Sequence, residues 1–287
     1  MASPIKRRRA TRDEMEERAE FLIGYAQKHG PVTVRQLFYA ATVAGIAGID
    51  KTEAGYNKVQ VQALDLRRAG RLPYNTISDA TRYMRKPKTH DSWENALQDT
   101  ARFYRKNLWA DSLERVEIWL EKSALAGVLW PVTSEYDVPL MPTGGYTSET
   151  FAYGAVDNMR EAGKRLVIYS LYDFDRSGRD AALSLQEKVE RFGAEFNVPV
   201  LFNHLGLTHG QVIDLNLPTR PAKRATVADQ RWPYEFAAEL DAIPPDMIRA
   251  MVRSAIENHL SAWRLEQLKL VETEERATLM KFIGRVA

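Results

Sequence analysis

Two carboxylates that could bind a cation stand at the end of an apolar run over residues 165–173. Asp173 and Asp175 close a stretch rich in β-branched and aromatic residues, which is typical of a strand buried on both faces. Residues i and i+2 of a strand project to one side, so these two like charges repel unless a cation lies between them. A divalent cation is the simplest such partner. A helix cap, a calcium site and a receiver-type pocket remain compatible with this spacing.

A third carboxylate, Glu121, stands at the end of an earlier predicted strand over residues 115–120. In open α/β sheets, functional groups gather beyond the carboxyl ends of the strands. If the two strands are neighbours, Glu121, Asp173 and Asp175 converge on one crevice, where they can hold one or two Mg²⁺ ions. Such ions would neutralise charge on a phosphodiester and on its leaving oxygen.

A tyrosine that could act as a nucleophile lies in the N-terminal region. The helix predicted from Thr33 to Thr42 has an apolar stripe, and Tyr39 falls off it. Arg35 lies four residues earlier, so we expect its guanidinium and the phenol of Tyr39 to share one exposed face. An arginine can hold a phosphate and favour the phenolate, and a phenolate can attack phosphorus. The alternative is a half-buried surface tyrosine that lies over its own helix.

The elements around Tyr39 have the order of a winged helix-turn-helix. Helices are predicted over about 12–29, 33–42 and 52–69, and a short strand or wing over 71–78. This order commonly sets a helix in the major groove of DNA. A small helical protein-interaction module is the alternative. The third helix carries polar and basic side chains for contact with DNA: Lys58, Gln62, Arg67 and Arg68.

The later part of the chain alternates between strands and helices. Strands are predicted over about 115–120, 138–141, 165–173 and 199–202, with helices over 123–129, 148–161 and 180–192. Such alternation predicts an α/β fold with a parallel, right-handedly connected sheet. Residues 219–231 are expected to form a loop, and residues 245–282 a helical region.

Composition and charge limit the remaining function classes. The 287 residues carry a formal net charge of +2 and no cysteine, so neither disulfides nor thiolate metal sites are available. No apolar run approaches the roughly 20 residues needed to span a bilayer, and the N-terminus lacks the apolar core of a secretory signal. Because a net charge of +2 is nearly neutral, any surface that binds nucleic acid must be a local basic patch. A basic arm ahead of the first helix is one candidate for holding phosphates: Lys6, Arg7, Arg8 and Arg9.

These patterns predict five segments of chain. They are a basic arm over 1–12, a winged helix-turn-helix DNA-binding domain over 13–90, a helical connector over 91–112, an α/β domain over 113–260 and a C-terminal helix over 261–287.

The combination of motifs resembles a known family. A strand-terminal Glu121, a glycine turn at Gly144 or Gly145 after the second strand, and an Asp-x-Asp after the third strand follow the pattern of a Toprim domain. A winged helix before a Toprim domain, which has a Rossmann-like parallel sheet, is the arrangement of the topoisomerase VI A subunit and of the meiotic double-strand-break transesterase. The resemblance covers about residues 30–260, and the chain is similar in size to the compact, stand-alone mini-A type.

The N-terminal residues fit the same family. Its nucleophile is a tyrosine on a winged-helix helix, directly after an aromatic residue and four residues after an arginine, as are Tyr39, Phe38 and Arg35 here. The segment 238–244 looks like the acidic stretch near the end of the family's Toprim region.

The resemblance implies a Mg²⁺-dependent transesterase that cuts double-stranded DNA. Tyr39 would attack a phosphodiester to give a phosphotyrosyl DNA end, and Arg35 would steady the scissile phosphate. The metal ligands would be Glu121, Asp173 and Asp175, and they would act through Mg²⁺ on the transition state.

Partners and location follow from the same resemblance. Tyrosine and metal site would come from different subunits, which implies a homodimer clasping the duplex. Lys122 would contact phosphate or orient Glu121. The resemblance also allows for an ATPase of the B type as a separate chain. The expected location is the cytoplasm, at the nucleoid.

Three rival functions use the same residues differently. A Toprim nuclease would hydrolyse DNA with metal-activated water and leave Tyr39 structural. A DNA-binding protein could retain an inactive Toprim scaffold. A receiver-like phosphotransfer protein would accept phosphate on the acidic residues, but it leaves the N-terminal helices unexplained except as an output domain.

Overall fold

The computed structural model describes residues 10–78 and 87–286. Lys6, Arg7, Arg8 and Arg9 of the predicted basic arm lie outside these residues. The helices are α1 (Arg12–His29), α2 (Val34–Val43), α3 (Glu53–Arg68), α4 (Trp93–Arg102), α5 (Ala126–Glu135), α6 (Glu149–Arg160), α7 (Arg176–Phe196), α8 (His209–Asp214), α9 (Val227–Gln230), α10 (Pro245–Glu257) and α11 (Ala262–Val286). The strands are β1 (Glu114–Leu120), β2 (Leu140–Pro142), β3 (Arg165–Leu171), β4 (Val200–Gly206), β5 (Arg220–Pro221) and β6 (Phe236–Ala237).

The first four strands form one parallel sheet in the order β2-β1-β3-β4, which confirms the predicted α/β class. Leu120, the last residue of β1, pairs with Leu171, the last residue of β3. The two strands therefore end level with each other, and the residues that follow them emerge at one edge of the sheet. This register positions the candidate site.

Helices cover both faces of the sheet because successive side chains of its strands point to opposite sides. Ile118 packs in a core with α5 and α10, whereas its neighbour Trp119 packs in a second core with α6 and α7. Both residues are fully buried. Such two-sided burial explains why the strands read as continuous apolar runs.

The first three helices enclose a separate apolar core that includes Leu22, Leu37, Val59 and Leu72. Helices α1 and α2 begin at capping boxes made by Thr11 and Thr33, which is why their predicted starts agree with the structure.

The segment predicted as a strand or wing contains a 3₁₀ turn at Tyr74–Thr76 and a single bridge from Ile77 to Val32. No strand forms over 71–78, and the winged helix stays a prediction.

The other differences between the structure and the sequence-based predictions are local. Helix α7 begins at Arg176, four residues earlier than expected, because Asp175 caps it directly. The connector contains one helix of 10 residues, and the expected loop at 219–231 contains β5 and α9. No helix in the part of the chain that the structure describes is long and apolar enough to cross a membrane.

Candidate active site

Glu121 and Asp173 meet where β1 and β3 end. The backbone N–H of Glu121 donates to the carbonyl of Leu171 over 2.9 Å, and this continues the β1–β3 ladder by one residue. The backbone N–H of Asp173 then donates to Glu121 Oε2, also over 2.9 Å. Burial raises the pKa of the Glu121 carboxyl. The Glu121 carboxylate thus lies at the backbone of Asp173, at the shared end of the two strands.

Asp173 is held between two further donors. Its Oδ1 accepts from the backbone N–H of Leu240 over 2.8 Å, and its Oδ2 lies 3.1 Å from Lys122 Nζ. The side chain is 11% exposed. Burial raises the pKa of Asp173 to about 7, although Lys122 opposes this rise.

Asp175 caps helix α7 at the same edge of the sheet. Its Oδ1 accepts from the backbone N–H of Gly178 over 2.8 Å and caps α7, and its Oδ2 accepts from Arg220 over 2.7 Å. The cap, which the sequence left open as an alternative, is therefore present. Both oxygens of Asp175 are thus bonded, so a metal ion that binds this carboxylate would have to replace Gly178 or Arg220.

Lys122 lies inside this group of acids instead of on the surface. Its Nζ is 3.1 Å from Asp173 Oδ2, 3.0 Å from Glu239 Oε2 and 3.1 Å from Asp241 Oδ2. Burial alone would lower the pKa of the ammonium, but the charges of Asp241, Asp173 and Glu239 outweigh it and raise that pKa. Because the Lys122 ammonium pairs with carboxylates of its own chain, it is not free to make the predicted contact with DNA phosphate.

Glu239 and Asp241 are site residues that the sequence reasoning did not assign. They flank Leu240 in a 3₁₀ turn, and Asp241 is 4% exposed. The signal in the sequence is an acid-x-acid spacing that repeats the one at 173 and 175. We call Glu121, Asp173, Asp175, Glu239 and Asp241 the acidic cluster.

The acidic cluster contains five carboxylates and contacts three cations. Arg35 and Arg220 reach Glu239 at 3.6 and 4.0 Å, and Lys122 is the third cation. With every group charged, five negative and three positive charges leave a formal charge of −2.

The donor chemistry of the acidic cluster fits Mg²⁺, which binds through carboxylate oxygens. The arrangement is not a ready-made cage: among the described residues, no three His, Asp or Glu side chains are grouped so that they could hold a metal. Hydrogen bonds to the chain's own donors use both oxygens of Asp173 and of Asp175. An ion would therefore have to replace some of these donors.

Helix α2 packs directly against the acidic cluster. The hydroxyl of Thr33, its N-cap, donates to Asp241 Oδ1 over 2.6 Å, and Gln36 Nε2 donates to the carbonyl of Ile243 over 3.4 Å. Arg35 Nε lies 3.6 Å from Glu239, and its guanidinium stacks 4.0 Å from the ring centre of Tyr56. The predicted arginine is thus at the site and is held by a carboxylate.

Tyr39 is half-buried, which corrects the expectation of an exposed phenol. Its ring packs against the N-terminal core and against the core on the α5 side of the sheet, because α2 is covered by the α/β part of the chain. Burial and then Glu239 raise the pKa of the phenol, and they outweigh the opposite effects of Arg35 and Lys122. Arg35 favours the phenolate, as expected, but its effect is smaller than those of burial and Glu239, so the net pKa of the phenol is raised.

A groove of about 400 Å³ opens beside Tyr39. Aromatic and apolar side chains of α1 and α2 form one wall, with Tyr25 among them, and residues 241–245 form the other. The hydroxyl of Tyr39 makes no hydrogen bond to the residues that the structure describes.

The candidate DNA-binding residues of α3 differ in their surroundings. Lys58 donates to the carbonyl of Gly48 over 2.7 Å, and Arg67 stacks 5.6 Å from the ring centre of Tyr74. Arg68 is exposed. Gln62, expected to reach outward, is buried and bonded to Arg18 and to the carbonyl of Met15, because it faces α1.

No protein-family model matches the chain, and neither does any curated protein.

Proposed function

We propose that this protein is a Mg²⁺-dependent DNA-cleaving transesterase similar to the topoisomerase VI A subunit. The observation that best supports the proposal is the meeting of two features in one place. Carboxylates from the ends of neighbouring parallel strands lie at the site, and an arginine and a tyrosine one helical turn apart lie on the helix that packs against them.

The proposed reaction forms a phosphotyrosyl bond. Tyr39 Oη gives up its proton and attacks a DNA phosphorus, the bond from phosphorus to the deoxyribose oxygen breaks, and that oxygen takes up a proton. Bound to the acidic cluster, Mg²⁺ would stabilise the negative charge that develops on the phosphoryl oxygens. Arg35, the cation nearest Tyr39 along α2, would exchange Glu239 for the scissile phosphate.

We also propose that the enzyme works as a homodimer on double-stranded DNA. The surroundings of Tyr39 within its own chain raise its pKa, so this chain alone does not activate the phenol. A metal site supplied by the partner subunit would do so, as the resemblance implies, and the acidic cluster of each chain would then serve the tyrosine of the other. The three N-terminal helices would form a winged helix with Lys58, Arg67 and Arg68 near the DNA backbone. A separate B-type ATPase and a location at the nucleoid belong to the same proposal.

A cleavage assay with two tyrosine variants tests this function. Supercoiled plasmid is incubated with Mg²⁺ and either Tyr39→Phe or Tyr25→Phe. Tyr25 is a matched control because it is also half-buried and lines the same groove. We expect Tyr39→Phe to lose cleavage by at least about 10³-fold and Tyr25→Phe to keep it. Normal cutting by Tyr39→Phe would exclude the transesterase.

A Toprim-type nuclease that uses water is the second candidate. The raised pKa and half-buried ring of Tyr39 favour it, because both suit a structural tyrosine. In that case Tyr39→Phe cuts normally and Asp173→Ala does not. If the wild type binds DNA but does not cut it, the protein is a non-catalytic DNA-binding protein.

A further inference from the structure

We propose that a cavity beside the acidic cluster binds a backbone phosphate of the DNA strand, next to the phosphodiester that is cut. The cavity has a volume of about 190 Å³ and lies between the start of α7 and the segment that runs from β5 to β6. This inference rests on the proposed function, since DNA is the proposed substrate. It goes beyond that function because it assigns a second contact with DNA, made by protein donors alone.

The cavity contains hydrogen-bond donors that the chain itself does not use. Three cations line it: Arg176, Arg220 and Lys223. Ser177 lines it as well. Lys223 and Ser177 are exposed, and neither side chain has a hydrogen-bond or ion-pair partner among the described residues. An ammonium group offers three N–H donors and a hydroxyl group offers one. These free donors suit a ligand with oxygen acceptors.

The two carboxylates that line the cavity are already bonded within the chain. Both oxygens of Asp175 accept hydrogen bonds. Asp229 Oδ1 accepts from Arg176 Nε over 2.8 Å, and its Oδ2 accepts from the backbone N–H of Thr226 over 3.1 Å. Three cations and two carboxylates give the lining residues a formal charge of +1. Free donors, occupied acceptors and this positive balance together favour an anion.

The size and the position of the cavity suit a phosphate group. Sites for drug-sized ligands have volumes of about 300–1,000 Å³, so this cavity accepts only a group of a few atoms. Arg220 lines it and also contacts Asp175 and Glu239 of the acidic cluster. Trp232 forms part of its wall, and the ring centre of Trp232 lies 4.9 Å from that of Phe174, the middle residue of the Asp-x-Asp. Because a DNA strand carries one phosphate per nucleotide, a strand with a phosphodiester at the acidic cluster can place its next phosphate here.

The salt dependence of DNA binding tests this contact on the full-length protein. A short duplex is titrated with Ca²⁺ in place of Mg²⁺, so that binding is measured apart from cleavage. Loss of one phosphate contact lowers the slope of log K against log salt by about 0.9. We expect this change for Lys223→Met, with binding about eightfold weaker at 0.1 M salt and nearly equal to wild type at 1 M.

Two lysine variants and one serine variant serve as controls. Lys223→Arg keeps the charge and should keep the slope. Lys281→Met should also keep it, because Lys281 is exposed and unpartnered among the described residues but lies on α11 and does not line the cavity. Ser177→Ala removes an uncharged donor, so it should weaken binding without a change of slope.

Inorganic phosphate separates the two sources of the same chemistry. If free phosphate is the ligand, calorimetry will find that it binds the wild type at micromolar concentration, and Lys223→Met will lose this binding but keep the slope for DNA. That result would overturn the proposal, and so would equal slopes for Lys223→Met and the wild type, or an equal loss in Lys281→Met. Each of these outcomes leaves the transesterase function intact, because that function fails through Tyr39→Phe.

Discussion

Burial sets the protonation state of Asp173. The carboxyl lies at the centre of the acidic cluster, and its pKa rises to about 7 because desolvation outweighs the attraction of Lys122. A carboxyl with a pKa near neutrality can release or accept a proton under ordinary conditions. Any divalent ion that binds there must also displace this proton, so we expect metal affinity to fall below about pH 7.

The raised pKa of Asp173 makes a prediction for stability. A carboxyl whose pKa is higher in the folded than in the unfolded chain stabilises the fold fully below its unfolded pKa. This contribution is lost as the pH rises through about 7. The free energy of unfolding of the wild type should therefore fall relative to that of Asp173→Asn between about pH 4 and 7, by about 1.4 kcal/mol per unit of pKa shift.

Urea denaturation of both proteins across this range measures the difference. Asp157→Asn is the control, because Asp157 is a partly exposed carboxylate on α6 whose ion-pair partner is Arg160 and not a residue of the acidic cluster. A wild-type and Asp173→Asn difference that stays constant with pH would contradict the assignment.

At the level of residues, the sequence predicts Glu121, Asp173 and Asp175 because each closes a strand, and strand ends are local patterns. Glu239 could not be predicted in the same way, because the 3₁₀ turn that it precedes has no sequence periodicity. Its contact with Lys122 joins residues that are 117 positions apart. The burial of Tyr39 is also a long-range effect, because the cover over α2 comes from residues about 200 positions later.

The turn from β3 into α7 is the element that fixes the Asp-x-Asp geometry. Asp175 caps the helix through the N–H of Gly178, and a Cβ at Gly178 would lie 2.4 Å from the carbonyl oxygen of Asp173. Glycine is required there because the first turn of α7 passes close to the backbone of Asp173.

Gly178→Ala should therefore destabilise the protein by about 1–3 kcal/mol, since the backbone around Asp173 has to shift. Gly154→Ala is a matched control in α6: nothing lies within 4 Å of a Cβ at that position. Its replacement should be neutral or stabilise the helix by up to about 1 kcal/mol. Chemical denaturation of both variants compares them, and equal stability of the two would show that the turn has room.

Element boundaries follow from the sequence wherever a cap marks them. Thr11, Thr33 and Ser148 accept from the backbone of their own first turns, and the predicted starts of α1, α2 and α6 agree within a residue or so. The pairing of β5 with β6 consists of two residue pairs between segments about 15 residues apart. Strands this short show no periodicity from which the pairing could be predicted.

At the scale of the whole molecule, Arg249 fastens the N-terminal helices to the α/β part. Its guanidinium donates to the carbonyls of Val128, His29 and Pro31 over 2.9, 2.9 and 2.6 Å. Together with the Thr33–Asp241 bond, these contacts keep α2 against the acidic cluster. The nucleophile candidate and the cluster therefore keep a fixed relation within one chain.

A mixing experiment tests whether catalysis uses two chains. Tyr39→Phe and Asp175→Asn should each be inactive alone. If the tyrosine of one chain acts with the metal site of its partner, a mixed dimer regains one complete centre and nicks one strand of a plasmid. Mixed dimers that form, as native mass spectrometry would show, but do not nick would mean that each chain uses its own acidic cluster.

The phosphotyrosyl bond is the central claim, and peptide mapping tests it most directly. Protein and short DNA duplexes react with Mg²⁺, the mixture is denatured, and trypsin releases the peptide Gln36–Lys51, in which Tyr39 is the sole tyrosine. We predict that mass spectrometry finds this peptide with a nucleotide attached through Tyr39. Cleaved DNA with free ends, and a peptide that carries no nucleotide, would contradict the transesterase.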